Sequence, residues 1–500
     1  MTDKQIEDFK TYLEEIHTVR SIANVVYFDA ATGAPAGGAE ARAKYMGYIS
    51  EKLFNLCVAD EMKAHLEALS EKEGSLDDET KGLYRIYKKE YEDSKRIPSE
   101  MVREFSELRS KSHVVWEEAR KENDFSKFAP YLEKIIKMQK DMLAYRQSDK
   151  SYYDLLLSDY EDGLTMEECD RFFAELKATI VPLLKKIMDK QKTFNTSRLT
   201  QYVSPEIQRK ISKYIAEKVG YDLNRGLIRE SAHPFCSGTS KYDVRITTHY
   251  HEQDFLNSFY SVLHESGHAI YEQNKNDNIA NTALDNGISM GIHESQSRFY
   301  ENVLGRSHAF WENILPELKV FLPAELQDLT VDEVYELINI AQPSLIRIEA
   351  DELTYSLHIM VRYEMEKLMF GEIDINVNDL PRLWNEKYEE YLGIRPDSDA
   401  NGILQDVHWS EGLMGYFPSY AIGSALSSQF MFYLNKEMDV EGLLRKGDIA
   451  PITQWLRAKI HQYGATYTPK VLLEKAIGEQ LNAKYYTTYL EKKFGALYGV

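Results

Sequence analysis

Apolar residues recur with the period of an α-helix along most of this chain of 500 residues. In the clearest window, 170–190, they return about every 3.6 positions, and Lys and Glu fill the opposite face. Glycine and proline, at 26 and 14 residues, supply few breaks. The pattern predicts an all-α, mainly helical fold. The other windows with this period are 6–22, 81–91, 101–120, 131–145 and 346–369.

Three breaks interrupt the helical pattern and mark where the chain turns. The stretch 30–38, AATGAPAGG, predicts a turn between the first two helices. The stretch 233–250 combines turn residues with an alternation at 244–249 that predicts a short β-strand. The third break, 402–423, is rich in Gly, Tyr and Trp. No internal repeat or flexible linker separates these segments, so we predict one domain over 1–500, with two lobes around a deep groove.

Charge and cysteine usage limit the partners and the compartment. Lys and Arg number 60 and Asp and Glu number 80, so the net charge is −20, and we expect no nucleic-acid partner. No segment approaches the roughly 18 apolar residues of a membrane span, and the polar N-terminus contains no signal peptide, so no membrane partner is expected. The three cysteines, Cys57, Cys169 and Cys236, lie far apart. This favours a reducing compartment and a cytoplasmic protein.

The most specific short pattern is HESGH at 264–268, an HExxH motif. On a helix, His264 and His268 lie one turn apart on the same face and can converge on one tetrahedral metal ion. Glu265 lies beside the metal, where its carboxylate can take a proton from metal-bound water. Gly267 costs a helix about 1 kcal/mol, which indicates that another backbone or a substrate approaches closely there. The alternative is a pair of surface histidines without a metal.

A catalytic zinc ion needs a third protein ligand and an open fourth position. The next candidates are His293 and Glu294, on a second helix predicted to begin near Ile292. We prefer Glu294, because a carboxylate from a downstream helix is the usual complement of HExxH, and His293 is the competing ligand. Arg298 and Glu301 share one side with Glu294, so Arg298 can orient the Glu294 carboxylate. Alternatively, Glu294 and Arg298 form only a surface ion pair.

The sequence resembles the thermostable (Taq-type) metallocarboxypeptidases, family 32 of the metallopeptidases, over nearly its whole length. One departure is Tyr27, which stands before FDAATGAPAGGAEAR where the family pattern leads us to expect Trp. The other shared motifs, in order, are HPF at 233–235, DxRxT at 243–247, HExxH at 264–268, HESQ at 293–296, IRxxAD at 346–351 and GxxQDxHW at 402–409.

The resemblance implies a particular site and activity. It implies an all-α fold with a long groove, metal ligands His264, His268 and Glu294, and Glu265 as the catalytic base, the gluzincin type of zincin. It also implies a homodimer with one catalytic Zn²⁺ per subunit, for which Co²⁺ can substitute. The expected activity is the release of single C-terminal residues of broad specificity from peptides, by Glu-assisted attack of metal-bound water.

Peptide hydrolysis also requires a hydrogen-bond donor for the oxyanion of the tetrahedral intermediate. His408, Tyr416 and Tyr420, in the aromatic stretch 402–423, are candidates, and the sequence does not choose among them. His233 is a further candidate for substrate contact or for support of the site. The structural alternative is a tightly packed loop whose aromatic side chains belong to the core.

A carboxypeptidase needs a cation for the free C-terminal carboxylate, and the planar fork of arginine suits this task better than lysine. The candidates are Arg347 and Arg245, and we expect Asp351 and Asp243 to hold them in place. On a helix beginning near residue 344, Arg347 and Asp351 share one face. Their structural alternative is an ion pair on the surface or in the core.

Two other functions compete with a carboxypeptidase. A zinc oligopeptidase or dipeptidase-type enzyme acting on short peptides would use a similar metal site but would not need the carboxylate-binding arginine. A catalytically silent zinc- or peptide-binding protein would need the ligands but not the base. The presence of Glu265 argues against the silent protein.

Overall fold

The computed structural model describes residues 2–146, 148–371, 373 and 375–500. The fold is 69% helix and 3% strand, which confirms the prediction of a mainly helical protein with one short β-rich stretch. From the N-terminus to the HExxH motif, the elements are α1 (Thr2–Thr32), α2 (Ala39–Cys57), α3 (Asp60–Ser70), α4 (Asp78–Arg96), α5 (Ser99–Glu122), α6 (Phe125–Ala144), α7 (Tyr152–Tyr160), α8 (Met166–Asp189), α9 (Pro205–Lys218), β1 (Ile228–Glu230), β2 (Cys236–Ser240), β3 (Asp243–Thr248) and α10 (Phe255–Gln273).

After α10, all the regular elements of the described residues are helices. They are α11 (Met290–Arg298), α12 (His308–Leu318), α13 (Val331–Ile338), α14 (Tyr355–Met369), α15 (Leu380–Leu392), α16 (Pro418–Glu437), α17 (Val440–Lys446), α18 (Ala450–Lys459), α19 (Pro469–Ile477) and α20 (Lys484–Tyr498). Among the residues described, no helix combines the length and the apolar content needed to cross a membrane.

The chain divides into two compact units, and each unit is assembled from three segments of sequence. The first unit is formed by Met1–Ser94, Asn195–Ile338 and Phe430–Gln480. The second unit is formed by Lys95–Phe194, Asn339–Gln429 and Leu481–Val500. The organisation of 1–500 as a single domain stays a prediction.

The predicted helical windows correspond to α1, α4, α5, α6 and α8, and one window is wrong in its first half. The window 346–369 becomes helical only at Tyr355. Asp351 is the reason, because its Oδ1 accepts the backbone N–H groups of Leu353 and Thr354, at 2.9 and 3.1 Å. A short polar side chain that bonds nearby N–H groups in this way competes with helix and marks a helix start. The helix predicted from residue 344 is therefore absent.

The small sheet lies in the first unit and has the strand order β1-β3-β2. β3 pairs in parallel with β1 and antiparallel with β2. Val244 and Ile246 are fully buried, which confirms the strand predicted from the alternation in this stretch. β3 packs against α10, so the sheet supports the helix that carries HExxH.

The aromatic stretch 402–423 belongs to the second unit, and only part of it is a loop. It contains a 3₁₀ turn at His408–Glu411, and α16 begins at Pro418. Proline is well tolerated at the start of a helix, so α16 can begin at Pro418. Tyr420 therefore lies in the first turn of α16 and not on the loop. Trp409 and Phe417 are buried, as the structural alternative for this stretch expected.

Candidate functional site

The helices α10 and α11 carry the HExxH and HESQ motifs, respectively, and pack closely in the first unit. α10 begins after Asp254, whose side chain accepts the N–H of Asn257, and Ser289 caps α11 through the N–H of Ile292. A Cβ atom added at Gly267 would lie 2.6 Å from the carbonyl oxygen of Gln296, on α11. The prediction that a second backbone approaches the glycine of HExxH is confirmed.

The two motif histidines and Glu294 bring one atom each to a common point. The Nε2 atoms of His264 and His268 lie 3.7 and 3.6 Å from Oε2 of Glu294. Ligand atoms bound at roughly 2.0–2.1 Å around a tetrahedral ion are about 3.4 Å apart. The three ligand atoms therefore have about the spacing of three ligands around one tetrahedral metal ion.

Glu294 and His264 are each held by a further charged group. Nε of Arg298 donates to Glu294 Oε1 at 2.7 Å, and Glu301 Oε2 lies 2.8 Å from Nδ1 of His264. The Arg298–Glu294 pair is buried, with side chains 14% and 8% exposed, so the alternative of a surface pair is wrong. A π-helical turn at Phe299–Leu304 carries Glu301, and such turns often occur at functional sites.

His293, the competing ligand, is placed behind His268 and not beside Glu294. Its Nδ1 lies 2.5 Å from Nδ1 of His268, and its Nε2 lies 2.8 Å from Oε1 of Glu272. Among the described residues, the group close enough to share a metal ion is His264, His268 and Glu294.

Buried charges in this site have strongly displaced pKa values. Burial raises the pKa of Glu265 to about 7. Burial would also raise the pKa of Glu301, but Arg298 and the hydrogen bond to His264 lower it to about 2. Glu301 is therefore ionised at neutral pH and accepts the proton on Nδ1 of His264. Burial would lower the pKa of His264, but Glu294 and Glu301 raise it to about 9, so a metal that binds Nε2 must displace its proton.

Arg347 lies in the second unit, and its partner differs from the expected one. Its Nε and Nη2 contact Oδ1 of Asp406 at 2.9 and 2.8 Å, so Asp351 does not hold it. Arg362 donates to the other oxygen of Asp406 at 2.6 Å. Burial would raise the pKa of Asp406, but the two arginines hold it well below its usual range. Sequence reasoning missed Asp406 as a partner, although it is the Asp of the GxxQDxHW motif.

The three oxyanion candidates contact one another, and Tyr420 also contacts Arg347. Nε2 of His408 lies 3.4 Å from the Tyr420 hydroxyl, and the ring centroids of Tyr416 and Tyr420 are 5.1 Å apart. The Arg347 guanidinium lies over the ring of Tyr420, at 5.2 Å. Burial lowers the pKa of His408 to about 4, so its imidazole is neutral at pH 7. The second unit thus gathers two arginines, a neutral imidazole and two phenols.

The remaining candidates lie in the first unit. Arg245 donates through Nε and Nη2 to Asp243, at 2.7 and 2.6 Å, so the expected pair is present on β3. The guanidinium of Arg245 also lies over the ring of Phe28. His233 is exposed in a bend between β1 and β2, and its carbonyl accepts the Ser231 hydroxyl at 2.6 Å.

Replacing Asp406 by Asn is expected to destabilise the second unit by about 3–5 kcal/mol. The substitution removes the only charge that balances two buried guanidinium groups among the contacts described above, and an unpaired buried charge is costly. Urea unfolding of the metal-loaded protein measures the change. The matched control is Glu386→Gln, which removes the acid of the exposed Arg382–Glu386 pair and is expected to cost less than about 0.5 kcal/mol. Equal, small effects of the two substitutions would contradict the prediction.

Comparison with known proteins identifies the family of this chain. The sequence model of the family described as carboxypeptidase Taq (M32) metallopeptidase matches residues 8–494. The chain is 41% identical over 493 residues to Carboxypeptidase 1 of Bacillus subtilis (strain 168), covering 98% of each chain. It is 36% identical over 505 residues to Thermostable carboxypeptidase 1 of Thermus thermophilus, again covering 98% of each chain.

A solved structure extends the agreement to the fold. The M32 carboxypeptidase from Deinococcus radiodurans R1 superposes with a TM-score of 0.96 at 36% identity, over 99% of this chain and 100% of that one. HExxH on one helix with a glutamate on a neighbouring helix is typical of metallopeptidases. The chain belongs to the M32, or carboxypeptidase Taq, family. It is a metal-dependent carboxypeptidase that acts on peptides, and the resemblance found in the sequence is confirmed.

Proposed function

We propose that this metallocarboxypeptidase uses one Zn²⁺ per chain, held by His264, His268 and Glu294, to release single C-terminal residues of broad specificity. The observation that carries the proposal is the convergence of both Nε2 atoms on one oxygen of Glu294, at 3.7 and 3.6 Å. Two imidazoles and one carboxylate are a ligand set of catalytic zinc, which keeps a fourth position open. The family resemblance adds Co²⁺ as a substitute.

Glu265 performs the proton transfers in the proposed mechanism. When bound, zinc acidifies a water molecule and polarises the scissile carbonyl. The Glu265 carboxylate accepts a proton from the attacking water and later delivers it to the leaving amine. It follows a ligand directly in α10 but lies outside the ligand set, which supports this role. Burial raises its pKa to about 7, and the charge of a bound cation lowers it again.

The remaining two functions in this proposal are assigned to residues named from the sequence. Arg347 binds the free carboxylate of the substrate, and His408, Tyr416 or Tyr420 donates to the oxyanion. Support comes from the burial of Arg347, because a charge-assisted hydrogen bond is stronger where water is excluded. Arg245 remains the alternative carboxylate ligand.

The proposal is tested with a peptide and its C-terminally amidated twin, each incubated with zinc-loaded protein and followed by mass spectrometry. We expect stepwise loss of single residues from the free acid only, and no cleavage after treatment with a chelator. Internal cuts in both peptides would instead identify an oligopeptidase. No cleavage across a broad peptide panel, with zinc bound, would identify the silent binding protein.

The same assay separates the two arginines through Arg347→Lys and Arg245→Lys. Lysine keeps the charge but cannot offer a planar fork. We expect Arg347→Lys to lower kcat/KM for the free acid by at least about 30-fold, the lower range for losing a buried charged contact. We expect Arg245→Lys to have a smaller effect. The reverse order would assign the carboxylate to Arg245.

Location and assembly complete the proposal. Cys57, Cys169 and Cys236 are free thiols, which supports a reducing compartment such as the cytoplasm. We propose a homodimer on the resemblance alone, and sedimentation of the zinc-loaded protein measures its mass.

A further inference from the structure

The two ligand histidines are supported in different ways. Nδ1 of His264 faces a carboxylate, Glu301, whereas Nδ1 of His268 faces another imidazole, His293, at 2.5 Å. A carboxylate can only accept a hydrogen bond, but a neutral imidazole nitrogen either donates or accepts. The contact between His268 and His293 therefore has no direction of its own, and a further partner must set it.

Glu272 sets the direction of this contact. Its Oε1 lies 2.8 Å from Nε2 of His293, and an ionised carboxylate accepts only. In neutral His293 the proton is then on Nε2, so Nδ1 of His293 accepts the proton on Nδ1 of His268. That tautomer of His268 leaves its Nε2 lone pair towards Glu294 Oε2, 3.6 Å away, where the metal binds.

Lys275 keeps Glu272 ionised and in place. Its side chain is fully buried, it donates to Oε2 of Glu272, and it lies 3.9 Å from Oδ1 of Asp285. Lysine is almost never fully buried unless it is paired. Burial would raise the pKa of Glu272, but Lys275 and the hydrogen bond from His293 lower it to about 2.

The ring of His293 has little freedom to turn. A Cβ atom at Gly287 would overlap its Cδ2, so the glycine leaves space for the ring and its backbone closes one side. The ring of Tyr271 lies at 5.2 Å between centroids on another side. His293 is thus clamped in the orientation that reaches both His268 and Glu272.

We propose that His293, Glu272 and Lys275 are positioning residues that orient His268 through a directed chain from His268 to His293 to Glu272, anchored by Lys275. This proposal of a hydrogen-bond chain rests on the proposed metal centre and adds residues that support one of its ligands. Glu272 follows His268 by four positions in α10, and His293 comes from α11, so the chain also joins the two helices that supply the ligands.

The first test compares His293→Leu with His293→Asn. Leucine fills the space without an acceptor, whereas Oδ1 of asparagine can accept the His268 proton near the position of Nδ1. We expect His293→Leu to weaken zinc binding about 10- to 100-fold, the range for residues that orient a ligand, and His293→Asn to recover most of the affinity. Zinc affinity is measured by competition with a chromogenic chelator, and the visible spectrum of the cobalt-loaded protein reports the ligand geometry.

The second test addresses the anchor through Lys275→Met and the double variant Glu272→Gln/Lys275→Met. Lys275→Met leaves a buried carboxylate without its cation, and we expect about 10-fold weaker zinc binding. A neutral Gln needs no cation and still accepts from His293, so the double variant is expected to bind zinc more tightly than Lys275→Met. The control is Lys493→Met, which removes a buried lysine from the Lys493–Glu352 pair of the second unit and is expected to leave zinc affinity unchanged.

The outcomes distinguish a failure of the proposed hydrogen-bond chain from a failure of the proposed metal centre. Equal zinc affinity and equal cobalt spectra for His293→Leu and His293→Asn would overturn the directed chain, while wild-type zinc binding would leave the centre intact. Wild type that binds no zinc would overturn the proposed centre. Melting temperatures of the metal-free proteins, prepared with a chelator, show whether each variant is folded. A loss of zinc affinity in a folded variant therefore supports the hydrogen-bond chain.

Discussion

Replacing Glu265 by Gln is expected to lower kcat for peptide hydrolysis by about 10²–10⁴-fold while the protein keeps its metal. Glutamine has nearly the same shape, so the packing of the buried side chain is retained, but its amide oxygen cannot take a proton from water. Glu265 is outside the group of His264, His268 and Glu294, so metal binding should not depend on it. The measurement is kcat at saturating zinc together with zinc content per chain.

The matched control is Glu294→Gln, which changes a proposed ligand by the same chemistry. This variant is expected to lose zinc as well as activity, because a neutral amide is a poorer ligand than a carboxylate. If Glu265→Gln lost zinc to the same extent, Glu265 would belong to the coordination of the metal. Unchanged kcat in Glu265→Gln would assign the base to another residue.

Replacing Gly267 by Ala is expected to lower the free energy of unfolding by about 1–3 kcal/mol. It is also expected to abolish tight zinc binding. The new Cβ would lie 2.6 Å from the carbonyl oxygen of Gln296 and 2.7 Å from Cα of Ser297. Both are backbone atoms, so α11 must move away from α10. Glu294 moves with α11, which separates it from the two histidines. Urea unfolding and chelator competition measure the two effects.

The control for this prediction is Gly47→Ala, in the exposed middle of α2. A Cβ atom at Gly47 meets nothing within 4 Å, and alanine is the better helix former by about 1 kcal/mol. We therefore expect Gly47→Ala to raise the free energy of unfolding slightly, which stabilises the protein, and to leave zinc affinity unchanged. A Gly267→Ala protein as stable and as tightly zinc-binding as Gly47→Ala would contradict the close approach of the two helices.

Much of the fold could be predicted because helical periodicity is a local property. The window 170–190 corresponds to α8, and the HExxH motif lies on a helix, α10, as its spacing required. The window 346–369 failed at its start, where Asp351 bonds the N–H groups of Leu353 and Thr354. A periodic pattern of apolar residues does not register such a competing polar contact.

The ligand candidates could be named from the sequence because one helical turn fixes His264 relative to His268. Glu294 is the preferred third ligand because a downstream carboxylate usually complements HExxH, and the resemblance implies the same residue. Its closeness to both histidines is a property of the fold. The partners of the candidates were harder to predict. The sequence predicts Asp351, four residues away, as the partner of Arg347, but its partner Asp406 lies 59 residues further along the chain.

The sequence by itself determined the helical class, the metal-binding motif and the family, because each depends on residue types at short, fixed spacings. The short-range pairs Arg245–Asp243 and Arg298–Glu294 were also predicted from the sequence. Only the tertiary structure decided the other polar and charged contacts. It placed Arg347 on Asp406, His293 behind His268, and Lys275 on Glu272 in the interior. The physical reason is that a buried charge must find an opposite charge or a hydrogen-bond partner, and packing brings that partner from any position in the chain.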